Sequence, residues 1–347
     1  MKIRIIEYKC IVDNNNMPFG HAEKAIEETL NICKNLGFKT EVAASQDFNK
    51  ASITLPNSIK VNDYTYRSIF KIIENLYLAT KTSKNEDILF WFVNVDWYLY
   101  LFLSIHSFKQ KKIATIYKER FDQINGFRGK KFIIGDLLYH FLKKGIKRID
   151  LFFETFYSTN KKSNSIYLPD YMYTDFYIKY RNKKKINRVI CPGTINVQKD
   201  IKGLISVFKH INYQLLIVGQ FVDNSLYEEL LKEKSSNIRI ENRRLEYEEY
   251  YSLIAESTYC IAPYDIRKYN SATSGVIRES VYLDTIVIAP QRLLDNIGLN
   301  GIGYKTLEEL IELFNTNKIN AKIENDLTLY KEENVVENIR SAIMKLT

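Results

Sequence analysis

The stretch RVICPGTINVQKDIKGLISVFKHI, residues 188–211, decides how this chain folds. Arg188–Pro192 is an apolar run of the length a buried strand needs. Gly193 ends it and a polar loop follows. From Asp200 to Ile211 the apolar residues Ile201, Leu204, Ile205, Phe208 and Ile211 recur at helical spacing. Gln214–Val218 is then a second apolar strand, closed by Gly219. Strand, loop, helix and strand in that order make a βαβ unit, the building block of a parallel sheet.

The same rhythm extends in both directions. Downstream, Ser225–Lys234 and Tyr247–Ala255 read as helices, and Tyr259–Ala262 as a strand ending at Pro263-Tyr264. Gly275–Leu283 reads as a helix and Thr285–Ala289 as a strand. Upstream, Lys2–Glu7, Phe38–Ala44, Ile88–Val93, Ile113–Tyr117 and Ile149–Phe153 read as strands. Gly20–Leu36 carries Ala22, Ala25, Ile26, Leu30, Cys33 and Leu36 on one helical face, with Gly37 as its stop. Strands alternating with helices predict doubly wound parallel sheets. Ser158–Lys185, polar and broken by Pro169, predicts the domain linker. A chain of 347 residues suits two domains of ~150–170 residues each. The expected division is 1–170, 186–325 and a closing helix within 326–347 that packs back on the first domain.

Composition narrows the class. Hydrophobic residues at 46% and charged residues at 26% fit a soluble globular protein, not a disordered one. Cys10, Cys33, Cys191 and Cys260 are scattered through apolar stretches, as are His21, His106, His140 and His210 along the chain. That pattern predicts buried reduced thiols and no zinc site. Met1–Ile6 reads as a strand and not as a secretory signal, so a cytoplasmic protein is expected. The run ILFWFVNVDWYLYLFLSI, residues 88–105, is long enough to suggest a membrane span. Asn94 and Asp96 at its centre are costly in lipid, so strand, polar loop and helix is the expected reading.

Ligands of open parallel sheets bind at the carboxyl ends of strands, and three loops there are equipped for a diphosphate. In the first, Gly193 and Thr194 follow a strand while Lys199 and Lys202 flank a helix start, where cations and free N–H groups suit phosphate. Either lysine fits. The second is the strand Leu215–Gly219, whose terminal Gly219 is a structural turn or a ligand contact. In the third, Thr273, Ser274 and Gly275 open a helix with outward N–H groups, and Gly275 lets a ligand approach the backbone. Glu279, one turn on, has the chemistry to accept hydrogen bonds from ribose hydroxyls.

Taken in register, these elements resemble the donor-binding domain of GT-B glycosyltransferases, and most closely the large family-4-like group that builds bacterial surface polysaccharides. The residues that carry the likeness are Gly193-Thr194, Lys202-Gly203, Leu216-Ile-Val-Gly219, Pro263-Tyr264, Gly275, Glu279-Ser280 and Ile286-Val-Ile-Ala289. They span Arg188–Pro290. The resemblance implies two Rossmann-like domains facing a cleft, the first for the acceptor and the second for a nucleotide-sugar donor. It implies that Glu279 holds the donor ribose, that Lys199 or Lys202 holds the diphosphate, and that Thr273–Gly275 meets phosphate and sugar. Gly20, in Phe19-Gly20-His21, is similar to the family's glycine loop near the reacting centre. Tyr117 stands where a strand often ends in His, Thr194 where the phosphate loop has Arg, and Ser271 where the family has its first Glu.

Displacing a nucleoside diphosphate builds charge on the leaving phosphate, which lysines and helix N-termini can stabilise. The chain has no Asp-x-Asp pair, so neither a metal nor another cofactor is expected and the nucleotide-sugar is a substrate. An inverting reaction also needs a base beside the acceptor hydroxyl, for which Asp96 and His21 are the candidates. The net charge of +9 is concentrated in Lys109–Arg148, which holds twelve basic and three acidic residues. Interleaved with apolar side chains, that stretch suits peripheral docking on an anionic membrane carrying a glycan or lipid-linked glycan acceptor. It is equally readable as an ordinary solvated helix. No nucleic-acid-reading motif accompanies the charge, so nucleic acid is not an expected partner.

Overall fold

The computed structural model describes residues 1–9, 22–45, 58–62, 68–82, 87–128, 133–156, 163–267, 273–320 and 322–346. The chain divides into two compact units, Met1–Pro169 with Val335–Thr347, and Asp170–Asn334.

The first unit runs β1 (Lys2–Ile6), α1 (Ala22–Asn35), β2 (Lys39–Ser45), β3 (Ile59–Val61), α2 (Ile69–Thr80), β4 (Ile88–Phe92), α3 (Trp97–Ile105), β5 (Lys112–Ile116), α4 (Ile133–Ile146), β6 (Leu151–Glu154) and β7 (Ser165–Tyr167). Its seven strands lie in the order β3-β2-β1-β4-β5-β6-β7, parallel at every described pairing. Helices on both faces bury such strands completely, so they read as unbroken apolar runs. All five residues of β4 are buried. The 18-residue apolar run resolves into β4, a short loop and α3. Asn94 takes a φ of 56°, a left-handed turn that asparagine tolerates. Among the described residues no helix is long and apolar enough to cross a membrane.

The second unit contains α5 (Asp175–Arg181), β8 (Ile186–Pro192), α6 (Ile201–Phe208), β9 (Gln214–Gly219), α7 (Asn224–Glu233), β10 (Ile238–Asn242), α8 (Tyr247–Glu256), β11 (Ser257–Ile261), α9 (Gly275–Tyr282), β12 (Ile286–Pro290), α10 (Gln291–Ile297), β13 (Ile302–Tyr304) and α11 (Glu309–Asn315). A closing helix, α12 (Glu332–Met344), follows, and its residues from Val335 on belong to the first unit. The second sheet is β10-β9-β8-β11-β12-β13, again parallel throughout its described pairings. Asp200 caps α6 by accepting from the Gly203 N–H at 2.9 Å. The helix buries Ile201, Leu204, Ile205, Val207 and Phe208 against Leu215, Ile217 and Tyr259.

Two expectations change. The segment Ser158–Lys185 is not a bare linker, because β7 pairs with β6 and α5 buries Tyr177 and Tyr180. Its tyrosines, polar by composition, pack as core. The helix from Asp200 stops at Phe208 and not at Ile211, although Ile211 stays buried in the turn that follows.

Candidate functional site

Each sheet has one place where the strand order reverses, between β1 and β4 in the first and between β8 and β11 in the second. In open parallel sheets the loops diverge at such a reversal, and ligands bind in the crevice this leaves at the carboxyl ends of the strands.

At the second reversal the loop after β8 is clamped to the loop after β11. Asp200 N–H donates to the Pro263 carbonyl at 2.7 Å, and Asp265 N–H donates to the Gln198 carbonyl at 2.8 Å. Lys199 is thereby paired with Tyr264 as a bridge and is only 8% exposed. Its ammonium donates to the Pro192 carbonyl at 2.8 Å and lies 5.9 Å from the centre of the Tyr264 ring. A side chain at Gly193 would come within 4.0 Å of that ammonium. Lysine has three donors, and the carbonyl takes one.

Lys202 is elsewhere. It is exposed on α6 and ion-paired with Glu229 at 2.6 Å, a hydrogen bond that raises its pKa. The structure brings Lys199, and not Lys202, to the glycine turn. Thr194 is exposed beside that turn. Gly219 has a structural reason of its own: at φ 154°, an added Cβ would sit 1.9 Å from the Gly193 carbonyl oxygen. The two strand ends touch through backbone, and only glycine fits.

The third loop meets the same crevice. Ser274 is the N-cap of α9 and its hydroxyl donates to the Tyr264 hydroxyl at 3.4 Å. Thr273 donates to Asp170 at 3.3 Å. The space over Gly275 is filled from within: an added Cβ would lie 2.3 Å from the Tyr171 ring. That glycine admits a tyrosine. Glu279 is 4% exposed, with Oε2 accepting from Tyr250 at 2.9 Å and Oε1 from Tyr251 at 3.0 Å. Burial and the neighbouring Glu279 carboxylate push the Tyr250 hydroxyl well above its ordinary pKa. Buried Cys191 and Cys260 line the strands beneath, and burial raises both thiols, Cys260 to about 12. Neither is poised as a nucleophile.

At the first reversal the groups are acidic. Asp96 caps α3 by accepting from the Tyr98 N–H at 3.1 Å, and Oδ1 also accepts the Tyr8 hydroxyl at 2.9 Å. Lys9 lies 3.4 Å from Oδ2, and the Asp96 side chain is 28% exposed. Glu7, fully buried after β1, accepts the Lys9 N–H at 2.9 Å. Burial, first, and the nearby Asp96 raise its pKa to about 7, against the opposing pull of Lys9. Tyr117 follows β5 and is half-buried. Gly20, His21 and Ser271 lie outside the described residues.

The basic stretch is only partly a surface. Lys112 and Arg120 are buried. Lys112 meets Asp150 at 3.5 Å, and Arg120 lies 4.2 Å over the Phe152 ring. Lys143, Lys144 and Lys147 are exposed, together with Leu137 and Phe141 on α4; Lys130 and Lys131 are outside the described residues.

Tyr264 was read from sequence only as part of Pro263-Tyr264 after an apolar strand. Tyr250, Tyr251 and Glu7 were not singled out from sequence and show no signal without the fold.

Neither a family model nor a curated protein sequence matches the chain. Solved structures do. AviGT4, a glycosyltransferase involved in avilamycin A biosynthesis, aligns over 99% of this chain and 97% of its own at 9% identity and a TM-score of 0.57. The E. coli trehalose-6-phosphate structure bound with UDP-2-fluoro glucose aligns over 99% and 96% at 9% identity and a TM-score of 0.61. A Listeria monocytogenes protein assigned as a UDP-N-acetylglucosamine 2-epimerase aligns over 100% and 96% at 12% identity and a TM-score of 0.56. At such identities the likeness is one of architecture, and it agrees with the two parallel sheets of seven and six strands. The chain has the GT-B fold.

Proposed function

We propose that this protein is a glycosyltransferase whose second unit holds a nucleotide-sugar and whose first unit receives a glycan or lipid-linked glycan acceptor, in bacterial surface polysaccharide synthesis. The observation that carries this reading is the crevice at β8 and β11, where Lys199, the Gly193 turn, Tyr264 and the start of α9 converge, with Glu279 one turn into that helix. Its parts suit a nucleoside diphosphate: a cation and helix N–H groups for phosphate, and a carboxylate for ribose. The similar structures lend support, since their names carry UDP-sugars or glycosyl transfer.

In the proposed reaction Lys199 stabilises charge growing on the leaving diphosphate. Asp96, partly open at the end of β4, takes the proton of the acceptor hydroxyl. No divalent metal is required, so activity is expected to survive EDTA. The exposed Leu137 and Phe141, beside Lys143, Lys144 and Lys147, suit peripheral contact with an anionic membrane on the cytoplasmic side. A second reading, binding of nucleotide or sugar without transfer, draws on Glu279, whose two oxygens each hold a tyrosine hydroxyl. A thermal-shift panel of UDP, GDP, ADP, CMP and their sugars tests both, because a ligand of the native state raises the melting temperature. A shift together with sugar transfer supports the first reading. A shift without turnover of any sugar nucleotide supports the second, and no shift with any member removes both.

A further inference from the structure

The far end of the first sheet carries a cleft of its own. It opens at the amino ends of β1, β4 and β5 and encloses about 560 Å³, within the size range of small-molecule sites. Every residue that lines it belongs to the first unit. β4, five residues long, stands between it and the loop of Asp96 at ~3.3 Å of rise per residue. The cleft therefore takes no part in the reaction above.

Its floor is apolar. Leu89, at the start of β4, is buried beneath it, and Phe38 walls it from the turn between α1 and β2. The last turn of α12 closes it. That helix buries Val336, Ile339 and Ile343. Met344 falls one position off the packed face and is 62% exposed, with Leu346 beyond it on the cleft. An unbranched thioether in such a place adapts to irregular apolar shapes.

One side of the cleft is basic, and it is built. Lys112, itself buried, reaches back from β5, and its ammonium donates to the Gln110 carbonyl at 2.6 Å and the Phe108 carbonyl at 3.4 Å. Phe90 N–H donates to the Lys111 carbonyl at 2.9 Å, and the Gln110 amide donates to the Thr82 hydroxyl at 3.2 Å. A turn tied down at these points holds Lys109 and Lys111 on the cleft, both exposed. Lys111 also meets Asp150 at 3.6 Å. An apolar floor left in water marks a binding surface, and two fixed cations beside it select the occupant by charge.

We propose that this cleft binds a single-chain anionic amphiphile, taken up as a monomer. Its alkyl chain lies along Phe38, Leu89, Met344 and Leu346, and its carboxylate or phosphate head sits at Lys109 and Lys111. Asp87, the one acidic side chain of the lining, opposes a head placed against itself, which leaves the lysine turn as the seat. Binding depends neither on glycosyl transfer nor on the exposed face of α4.

The test is calorimetry of the full-length protein with decanoate and decyl phosphate, each below its critical micelle concentration, and with decyl maltoside as the neutral head. Saturable binding at one site is expected for both anions. Affinity is expected to rise about fourfold for each methylene added to the chain and to fall about tenfold or more for the neutral head. Met344→Asp, which sets a carboxylate among the apolar groups, loses binding by about tenfold or more. Lys109→Glu combined with Lys111→Glu lowers affinity for the anions to that for the neutral amphiphile. Changing Lys143, Lys144 and Lys147 to Gln leaves it as in wild type. Absence of saturable binding, equal affinity for charged and neutral heads, or unaltered binding by Met344→Asp overturns the proposal. If Met344→Asp does not fold, wild-type affinity in the double lysine variant overturns it equally. Binding to anionic vesicles without binding of any monomer also overturns it and makes this surface a bilayer contact.

Discussion

The two crevices are built alike and differ in the ionic groups at their strand ends. Each opens where a parallel sheet reverses its strand order, and each is walled by one loop from either side of the reversal. In the second unit a lysine, 8% exposed, rests on a backbone carbonyl and an aromatic face, with buried Glu279 one turn into α9. In the first, two carboxylates lie at the end of β1 and the start of α3: Asp96 meets the Lys9 ammonium, and buried Glu7 accepts the Lys9 backbone N–H. The backbone at these positions is generic. What differs is which ionic side chain the strand end delivers, and the roles proposed for the two crevices rest on that difference.

Four experiments can break or sharpen this contrast. The largest effect is expected at Lys199. Replacing it with Ala is expected to lower turnover by about a hundredfold or more, the ~2.7–4 kcal/mol of a lost charge-stabilising group. Lys202→Ala removes only an exposed ion pair and is expected to stay within a fewfold of wild type. If Lys202→Ala were the damaging change and Lys199→Ala silent, the cation of the second crevice would be misplaced.

The next effect concerns stability in the first crevice. The Glu7 carboxyl rises from its ordinary 4.5 to about 7 on folding. A raised carboxyl binds its proton more tightly in the native state, so stability falls as pH climbs through that interval, and the cost is complete above it. Glu7→Gln carries no such cost. Relative to wild type it is expected to gain ~3 kcal/mol between pH 4 and pH 8. Urea melts at several pH values measure this, and a difference that stays flat would show that Glu7 does not titrate in the native protein.

Glu279 comes third. Glu279→Ala is expected to weaken nucleotide binding by about 1.5–3 kcal/mol, read as the dissociation constant by calorimetry. Tyr250→Phe and Tyr251→Phe each remove one hydroxyl from the carboxylate and are expected to cost ~1 kcal/mol. Tyrosine variants that tighten binding would mean that the hydroxyls compete with the ribose instead of orienting its partner. The smallest effect is on the surface of α4. Changing Lys143, Lys144 and Lys147 to Gln is expected to release the protein from anionic vesicles at roughly 1 kcal/mol per charge. Equal sedimentation of wild type and variant with anionic and neutral vesicles would leave that face merely solvated.

Much of the fold was legible before any coordinates. Runs such as Ile88–Phe92 and Gln214–Gly219 announce buried parallel strands because both faces are covered and no polar position interrupts them. The short strands β3, β7, β10 and β13 and the helices α2, α5, α10 and α11 were not read from the chain. Three-residue strands have too few positions to show a period, and the tyrosines of α5 count as polar until something packs on them. The stop at Phe208 was missed because Ile211 keeps the helical spacing while sitting in a turn.

At the candidate sites the division is sharper. The amino-acid sequence by itself determined the alternation of elements, the glycine-terminated strands and the cluster of loops suited to phosphate, because these are local: each depends on residues within one turn or one strand. Three choices belonged to the tertiary structure alone. Lys199 and Lys202 are three positions apart and chemically identical, and only the backbone clamp from Pro263 and Asp265 turns one inward. Gly219 and Gly275 owe their bareness to a carbonyl and a ring brought from distant segments. Glu7 reads as an ordinary strand end until β4 and its loop set Asp96 beside it. Burial and charge proximity are sums over neighbours in space, and most of those neighbours are far away along the chain.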